Sequence, residues 1–440
     1  MVHLKMSVFS NMTRNILKNR LISQAGGVFI LKILYVGLSL LIALLLGRFL
    51  GPKGLGAYSF SISTVQVLLI PTIFGLPQVA VRETAVNFSQ QRWSILRGLI
   101  SWCNKSVFYS SLIFTGIGVV VCLLFEHRDP FLARTLLISV FSLPFLAQIR
   151  IRQSIMQGFK RIVLGNAPEF LIEPILILAI IVVTGFFFRG LLTPQLTLIG
   201  YDCSVIICFC IGVILLIRTM PKDIWLSDRV FNKKRWFRSA LLLLWATAMM
   251  TINNRMDSVM LGVFWGAEEV GTYTAANKAA QLIPFGLIAI NVSIKPVIAE
   301  VYEKKEWKKI QRLLTYSSRG GLIFAIPCIL VFIFLGKIIL NVFGSDFVIA
   351  YRPLLILSVG QLINNAAGCV GAVLINCHKE KEAAISIAVG AGANVLLNMI
   401  LIPIFKVEGA AIATGVSMII WNVLMIVFVR RKLKLRAGPI

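Results

Sequence analysis

Apolar residues run along this chain in long blocks separated by short polar gaps, with no sustained alternation of the kind a half-buried strand would show. A bilayer core about 30 Å thick is crossed by roughly 20 helical residues. Twelve stretches reach that length, at about 27–48, 56–76, 100–125, 132–149, 164–188, 192–217, 238–264, 270–294, 320–343, 353–376, 383–404 and 408–429. The fourth is short and the eighth is polar. Backbone amides in lipid find no water, so each stretch is expected to be helical. The longest gaps, Arg218–Phe237 and Lys295–Arg319, are too short for a soluble domain. The second holds Glu303, Lys304, Lys305, Glu306, Trp307, Lys308 and Lys309 and predicts an amphipathic helix lying on the membrane surface. Val8–Ile22, with Val8, Met12 and Ile16 spaced by four, predicts another.

Composition agrees with this all-α polytopic membrane class. Hydrophobic residues are 58%, mean hydropathy is +0.86 and only 14% of residues are charged, against about 25% in a soluble domain. The net charge of +26 would suggest nucleic acid in a soluble protein, but here the cations sit in the gaps between spans. With the N-terminus inside, 32 Lys and Arg fall on inner segments and 8 on outer ones. That bias predicts cytoplasmic N- and C-termini and contact with anionic membrane lipid. Eight cysteines without a CxxC pair and three scattered histidines suggest neither metal nor cofactor. No Walker A, HExxH or Gly-x-Ser-x-Gly pattern occurs, so no enzyme is expected.

The chain also repeats itself. Phe49–Tyr58 matches Phe264–Tyr273 at an offset of 215, with Gly51 and Gly266, Gly56 and Gly271, and Tyr58 and Tyr273 in register. Each copy joins the first and second spans of its half. The chain therefore divides into six-helix bundles at 1–218 and 219–440, a parallel repeat with a pseudo-two-fold along the membrane normal and a central cavity between the halves. Pro71 and Gly75 interrupt the second span, and Pro284 and Gly286 the eighth. Paired breaks of this kind mark a transport path or, equally, packing kinks; as path elements they are the candidate hinges.

Ionisable groups at membrane depth need a reason to be there. Arg255 and Asp257 in the seventh span and Lys278 in the eighth lie too deep to reach the interface easily. Asn253 and Asp257 share a helix face, as do Asn277 and Gln281, and Asn254 adjoins them. Together these nominate a hydrophilic vestibule, with an interhelical Asp257–Lys278 ion pair as the structural alternative. Lys32 can either snorkel or face the path. Glu169 and Glu173, four apart, and Asp202 are carboxylates of the type that ion coupling requires; Asp257, Glu173 and Asp202 are the candidates. Asn364, Asn365, Asn394, Asn398 and Asn422 read as hydrogen-bond links between helices.

Three blocks carry a family resemblance: Arg48–Pro52 with Gly54–Tyr58; Asp257–Gly262 running into Val270–Ala276, with Pro296 closing the eighth span; and Asn398–Pro403 followed by Gly409–Thr414. In order and spacing the sequence resembles the polysaccharide-transporter branch of the multidrug/oligosaccharidyl-lipid/polysaccharide exporter superfamily over nearly its whole length. The resemblance implies a flippase that moves undecaprenyl-diphosphate-linked oligosaccharide across the bacterial inner membrane for surface polysaccharide such as O-antigen, with a pathway polymerase as a possible partner. Arg255, Lys278, Asn253, Asn254, Gln281 and Lys32 would then bind substrate, the cations meeting the diphosphate. The alternatives are a multidrug exporter of the same superfamily, for which carboxylates rather than cations are expected in the cavity, and a peptidoglycan-precursor flippase, which usually has two further helices.

Overall fold

The computed structural model describes residues 2–187 and 192–439, with the side chains of 2–25, 242, 246 and 296 outside the description. The expected surface-lying face of Val8–Ile22 falls outside the described side chains. Among the described residues the chain is helical throughout and contains no strand.

Helix α1 (Val2–Ile73) is two helices joined at Gly51, whose φ of 66° and ψ of −172° are open only to a residue without a Cβ. The path continues as α2 (Leu76–Ser89), α3 (Trp93–Glu126), α4 (Pro130–Val140) and α5 (Leu143–Gly158). It then runs through α6 (Ile162–Ala167), a π-turn at Pro168–Ile172, α7 (Glu173–Val182) and α8 (Pro194–Thr219). The short α9 (Lys222–Leu226) leads to α10 (Lys233–Trp265), α11 (Ala267–Ala280), α12 (Phe285–Glu303) and α13 (Trp307–Asn341). The last elements are α14 (Tyr351–Ala367), α15 (Val370–Asn376) and α16 (Glu380–Phe428).

Eight described helices are long and apolar enough to cross a bilayer, or nine with the α4–α5 pair, which bends by 43°. The twelve expected stretches divide differently for local reasons. The 48-residue Gly26–Ile73 and the 54-residue Glu380–Leu433 each exceed one crossing, and each holds one non-helical residue, Gly51 or Lys406. At Lys406 the chain turns back, because Gly409 packs against the backbone of Leu401 and Ile402. The polar seventh stretch, α10, falls outside the eight, and the eighth is split between α11 and α12.

Two expectations change. The basic segment 303–309 is not a separate surface helix: α12 runs to Glu303, Lys305 turns with φ 55°, and α13 begins at Trp307. Its charges simply lengthen two membrane helices beyond the apolar zone. The second interruption also shifts. Helix continues through Pro71 and stops at Phe74 and Gly75, with φ of 50° and 70°, after which α2 extends to Ser89.

The motif copies meet each other. A Cβ on Gly56 would overlap the carbonyl of Ala267, and one on Gly271 would overlap the carbonyl of Pro52. Residues 52 and 267 stand at the same offset as 56 and 271, so the contact looks alike from either side. Without a hydrophobic drive between helices in lipid, such glycine-mediated approach is how they hold together. Gly266 repeats the conformation of Gly51, with φ 93° and ψ −169°.

Candidate functional site

A cavity of about 530 Å³ is lined by α1, α7, α8, α10, α11, α12, α14 and α16. Of the residues nominated from sequence, Asn253, Asn254, Arg255, Asp257, Lys278, Gln281, Glu173 and Pro284 line it. Arg255 lies ten residues before the end of α10 and Lys278 eleven after the start of α11. At 1.5 Å per residue both sit about 15 Å along the helix from those ends.

Asp257 is fully engaged. Tyr273 of α11 donates its hydroxyl to Oδ2 at 2.8 Å, and Thr414 of α16 lies 2.8 Å from the same oxygen. Asn394 and Asn398, one turn apart on α16, donate to Oδ1 at 3.0 and 2.6 Å. An ionised carboxylate only accepts, so four donors around its two oxygens suit it. The alternative Asp257–Lys278 pair does not form; Lys278 instead donates to Ser39 Oγ of α1 at 3.2 Å. Asp257 therefore ties α10 to α11 and to both sides of the Lys406 turn, while Lys278 is left facing the cavity.

Arg255 has neither an ion pair nor a hydrogen bond among the described residues, and it shares the cavity with Tyr35, Tyr58 and Tyr201. Glu173, at the start of α7, also faces in and has no ion-pair partner among the described residues, whereas Glu169 pairs with Arg150 at 2.8 Å. An unpaired cation inside a membrane costs about 3 kcal/mol even on the mildest scale. Its presence here is an expense that only a wet cavity or a ligand explains.

The other nominated residues lie elsewhere. Lys32 is exposed on α1, and Asp202 is half-buried on α8 with Oδ1 unpartnered; neither lines the cavity. Gly286 packs against Phe324 of α13, and Pro71 stays within the helix. Gly75 lines a second cavity and lies against the Ala240 carbonyl of α10. Asn422 donates to Asn364 Oδ1 at 3.2 Å, as a link between helices should.

Sequence reasoning missed Tyr35, Ser39, Ser63, Gln66, Tyr201 and Gln361. The repeat itself held a signal for three of them. Ser39 and Asn254, Ser63 and Lys278, and Gln66 and Gln281 all stand at the 215 offset, and both members of each pair line the cavity. The more polar or charged partner lies in the second half in the first two cases.

A helical membrane scaffold around a polar, partly charged cavity is the architecture of a multi-pass transporter fold. Among solved structures, an inward-facing multidrug resistance MATE family transporter of the MOP superfamily aligns with a TM-score of 0.73 at 11% identity, covering 92% of this chain and 94% of that one. The lipid II flippase MurJ in an inward closed conformation aligns at 0.62 and 19% identity, covering 93% and 87%. At these identities the likeness shows the fold alone. The family follows from sequence: residues 23–302 match the polysaccharide biosynthesis protein family, and this chain belongs to it. Residues 243–400 also match the MatE family. A probable low-salt glycan biosynthesis flippase of Haloferax volcanii is 28% identical over 38% of this chain, and a second probable flippase of that organism is 31% identical over 39%. The matched segment spans only 36% and 37% of the length of those relatives. The resemblance drawn from the motif blocks is thus borne out, and the chain is a multi-pass membrane protein of that family.

Proposed function

We propose that the protein is a flippase for lipid-linked oligosaccharide, carrying an undecaprenyl-diphosphate-linked glycan from the cytoplasmic to the outer leaflet of a bacterial inner membrane by alternating access. The observation that carries this reading is that Arg255 and Lys278 line one cavity with amides and hydroxyls and form no ion pair among the described residues, although the carboxylates of Glu173 and Asp257 line it too. A diphosphate needs cations, and the guanidinium suits bidentate phosphate contact. A glycan needs donors and acceptors such as Asn253, Asn254 and Gln281. The prenyl tail needs only lipid.

In this reading the two six-helix halves, 1–218 and 219–440, contribute twelve spans with both termini cytoplasmic. They rock about the cavity, with the breaks at Phe74–Gly75 and Gln281–Pro284 as hinges. Glu173 and Asp257 are the carboxylates placed to couple a proton or cation to that motion. The test is surface glycan in a host that depends on this protein. Arg255→Ala and Lys278→Ala each abolish it while protein level stays normal; full glycan in both variants would refute the assignment. Glu173 favours a second reading, export of cationic drugs, since an unpaired carboxylate would attract them. Protection of cells against cationic dyes, with glycan unaffected by loss of the protein, would decide for that reading.

A further inference from the structure

A second cavity of about 380 Å³ adjoins the first, sharing Gln66 and Thr251 with it. It lies between the end of α1, α2, α5 and α10, and both volumes fall in the range of about 300–1,000 Å³ common to ligand sites. Its lining differs in kind. Gln66, Gln78, Gln153 and Gln157 present amides, and Ser154 and Thr247 present hydroxyl oxygens that donate to the Arg150 and Leu243 carbonyls and are left as acceptors, over an apolar floor that includes Leu69 and Leu244. Among the described residues Arg150 is the only charged group in the lining, and its guanidinium is held by Glu169 at 2.8 Å.

Some of these amides are committed. Gln153 donates to Asn166, and Gln78 donates to Thr247 at 2.9 Å. Gln66 and Gln157 make no side-chain hydrogen bond among the described residues, so each offers a donor and an acceptor. Thr251 lies one helical turn from Arg255 on α10, which places the seam between the cavities beside that cation.

We infer that the second cavity is a subsite for uncharged, hydroxyl-rich sugar units, holding the glycan while its diphosphate lies at Arg255 and Lys278. This rests on the flippase reading and adds where, and by what chemistry, the glycan is held. Sugar hydroxyls both donate and accept, as amides do, and the apolar floor meets the C–H faces of the rings. A phosphate would need a cation that Glu169 has not already neutralised. A cationic ligand would meet Arg150.

The experiment uses the whole protein in nanodiscs and two synthetic probes, a polyprenyl diphosphate bearing one neutral hexose and the same lipid bearing four. Each hydrogen bond contributes about 0.5–1.5 kcal/mol net, so two at Gln157 amount to on the order of tenfold in affinity. The wild type binds the tetrahexosyl lipid more tightly by about that factor. Gln157→Leu abolishes most of the preference and Ser154→Ala part of it, while both bind the monohexosyl lipid as wild type does, which also shows that they are folded. Arg255→Ala weakens both lipids alike. Equal binding of the two lipids by wild type, or equal weakening of both by Gln157→Leu, overturns the subsite and leaves the flippase reading standing. Failure of wild type to bind either lipid removes that reading and the subsite with it.

Discussion

Replacing Asp257 separates its charge from its place as a hydrogen-bond acceptor. In Asp257→Ala, the two hydroxyls can recover: Tyr273 lies 3.0 Å from Thr414 Oγ1, and Thr414 lies 2.9 Å from the Ala410 carbonyl, so a relay can form. The amides cannot recover fully. Asn398 keeps a bond to Asn394 Oδ1 at 3.1 Å but loses its other acceptor, and the Asn394 amide loses its acceptor outright. Two buried donors left unsatisfied at about 1–3 kcal/mol each give a destabilisation of about 2–6 kcal/mol. Asp257→Asn behaves otherwise. Its oxygen can accept from Asn394 and Asn398, and its NH2 can face the Tyr273 and Thr414 oxygens, whose hydroxyls turn to accept. The charge is gone but the links among α10, α11 and α16 survive, at a cost of about 1 kcal/mol, near the net worth of one hydrogen bond. Thermal unfolding of purified protein, followed by size exclusion, should rank wild type and Asp257→Asn together and Asp257→Ala well below. Transport should fall in both variants if the carboxylate couples an ion. Unfolding of Asp257→Ala at the wild-type midpoint would refute the acceptor account. Collapse of Asp257→Asn alongside it would show that charge, not bonding geometry, holds these helices.

Further substitutions probe the scaffold and the reach of the cavity. Gly271→Val sets a side chain against the Pro52 carbonyl, and Gly56→Val sets one against that of Ala267; both should push α1 and α11 apart and sharply lower the yield of monodisperse protein, and normal yield would show that the contact yields easily. Glu269→Ala breaks the ion pair with Lys406 at 3.3 Å, whose lysine side chain is half exposed. The melting midpoint should move little, since such pairs contribute about 0–1 kcal/mol. Lys32→Ala should leave surface glycan at the wild-type level, because Lys32 is exposed away from the cavity; loss of glycan with normal protein level would return this lysine to the path.

The apolar, helical character of the chain was legible in the sequence because a bilayer imposes it residue by residue, although eight or nine described helices qualify as spans where twelve stretches were expected. Of the expected break residues, Gly75 and Pro284 fall between helices, whereas Pro71 and Gly286 lie inside them. Helix boundaries beyond the apolar zone were less legible: α2 and α13 continue through charged residues that hydropathy alone assigns to loops.

What each buried polar group faces was decided by the fold. Asp257 and Lys278 look like natural partners on adjacent helices, yet the first turns to Tyr273, Thr414, Asn394 and Asn398 and the second to Ser39. Lys32 and Lys278 are both lysines within apolar helices, and only one reaches the cavity. Glu169 and Glu173 are one turn apart, and only the first finds an arginine. The sequence thus determined a helical membrane chain with polar groups at particular depths. Their direction depends on how each helix is rotated against neighbours far away in the chain, and that rotation is set by packing, through contacts such as Gly56 with Ala267, rather than by any local pattern.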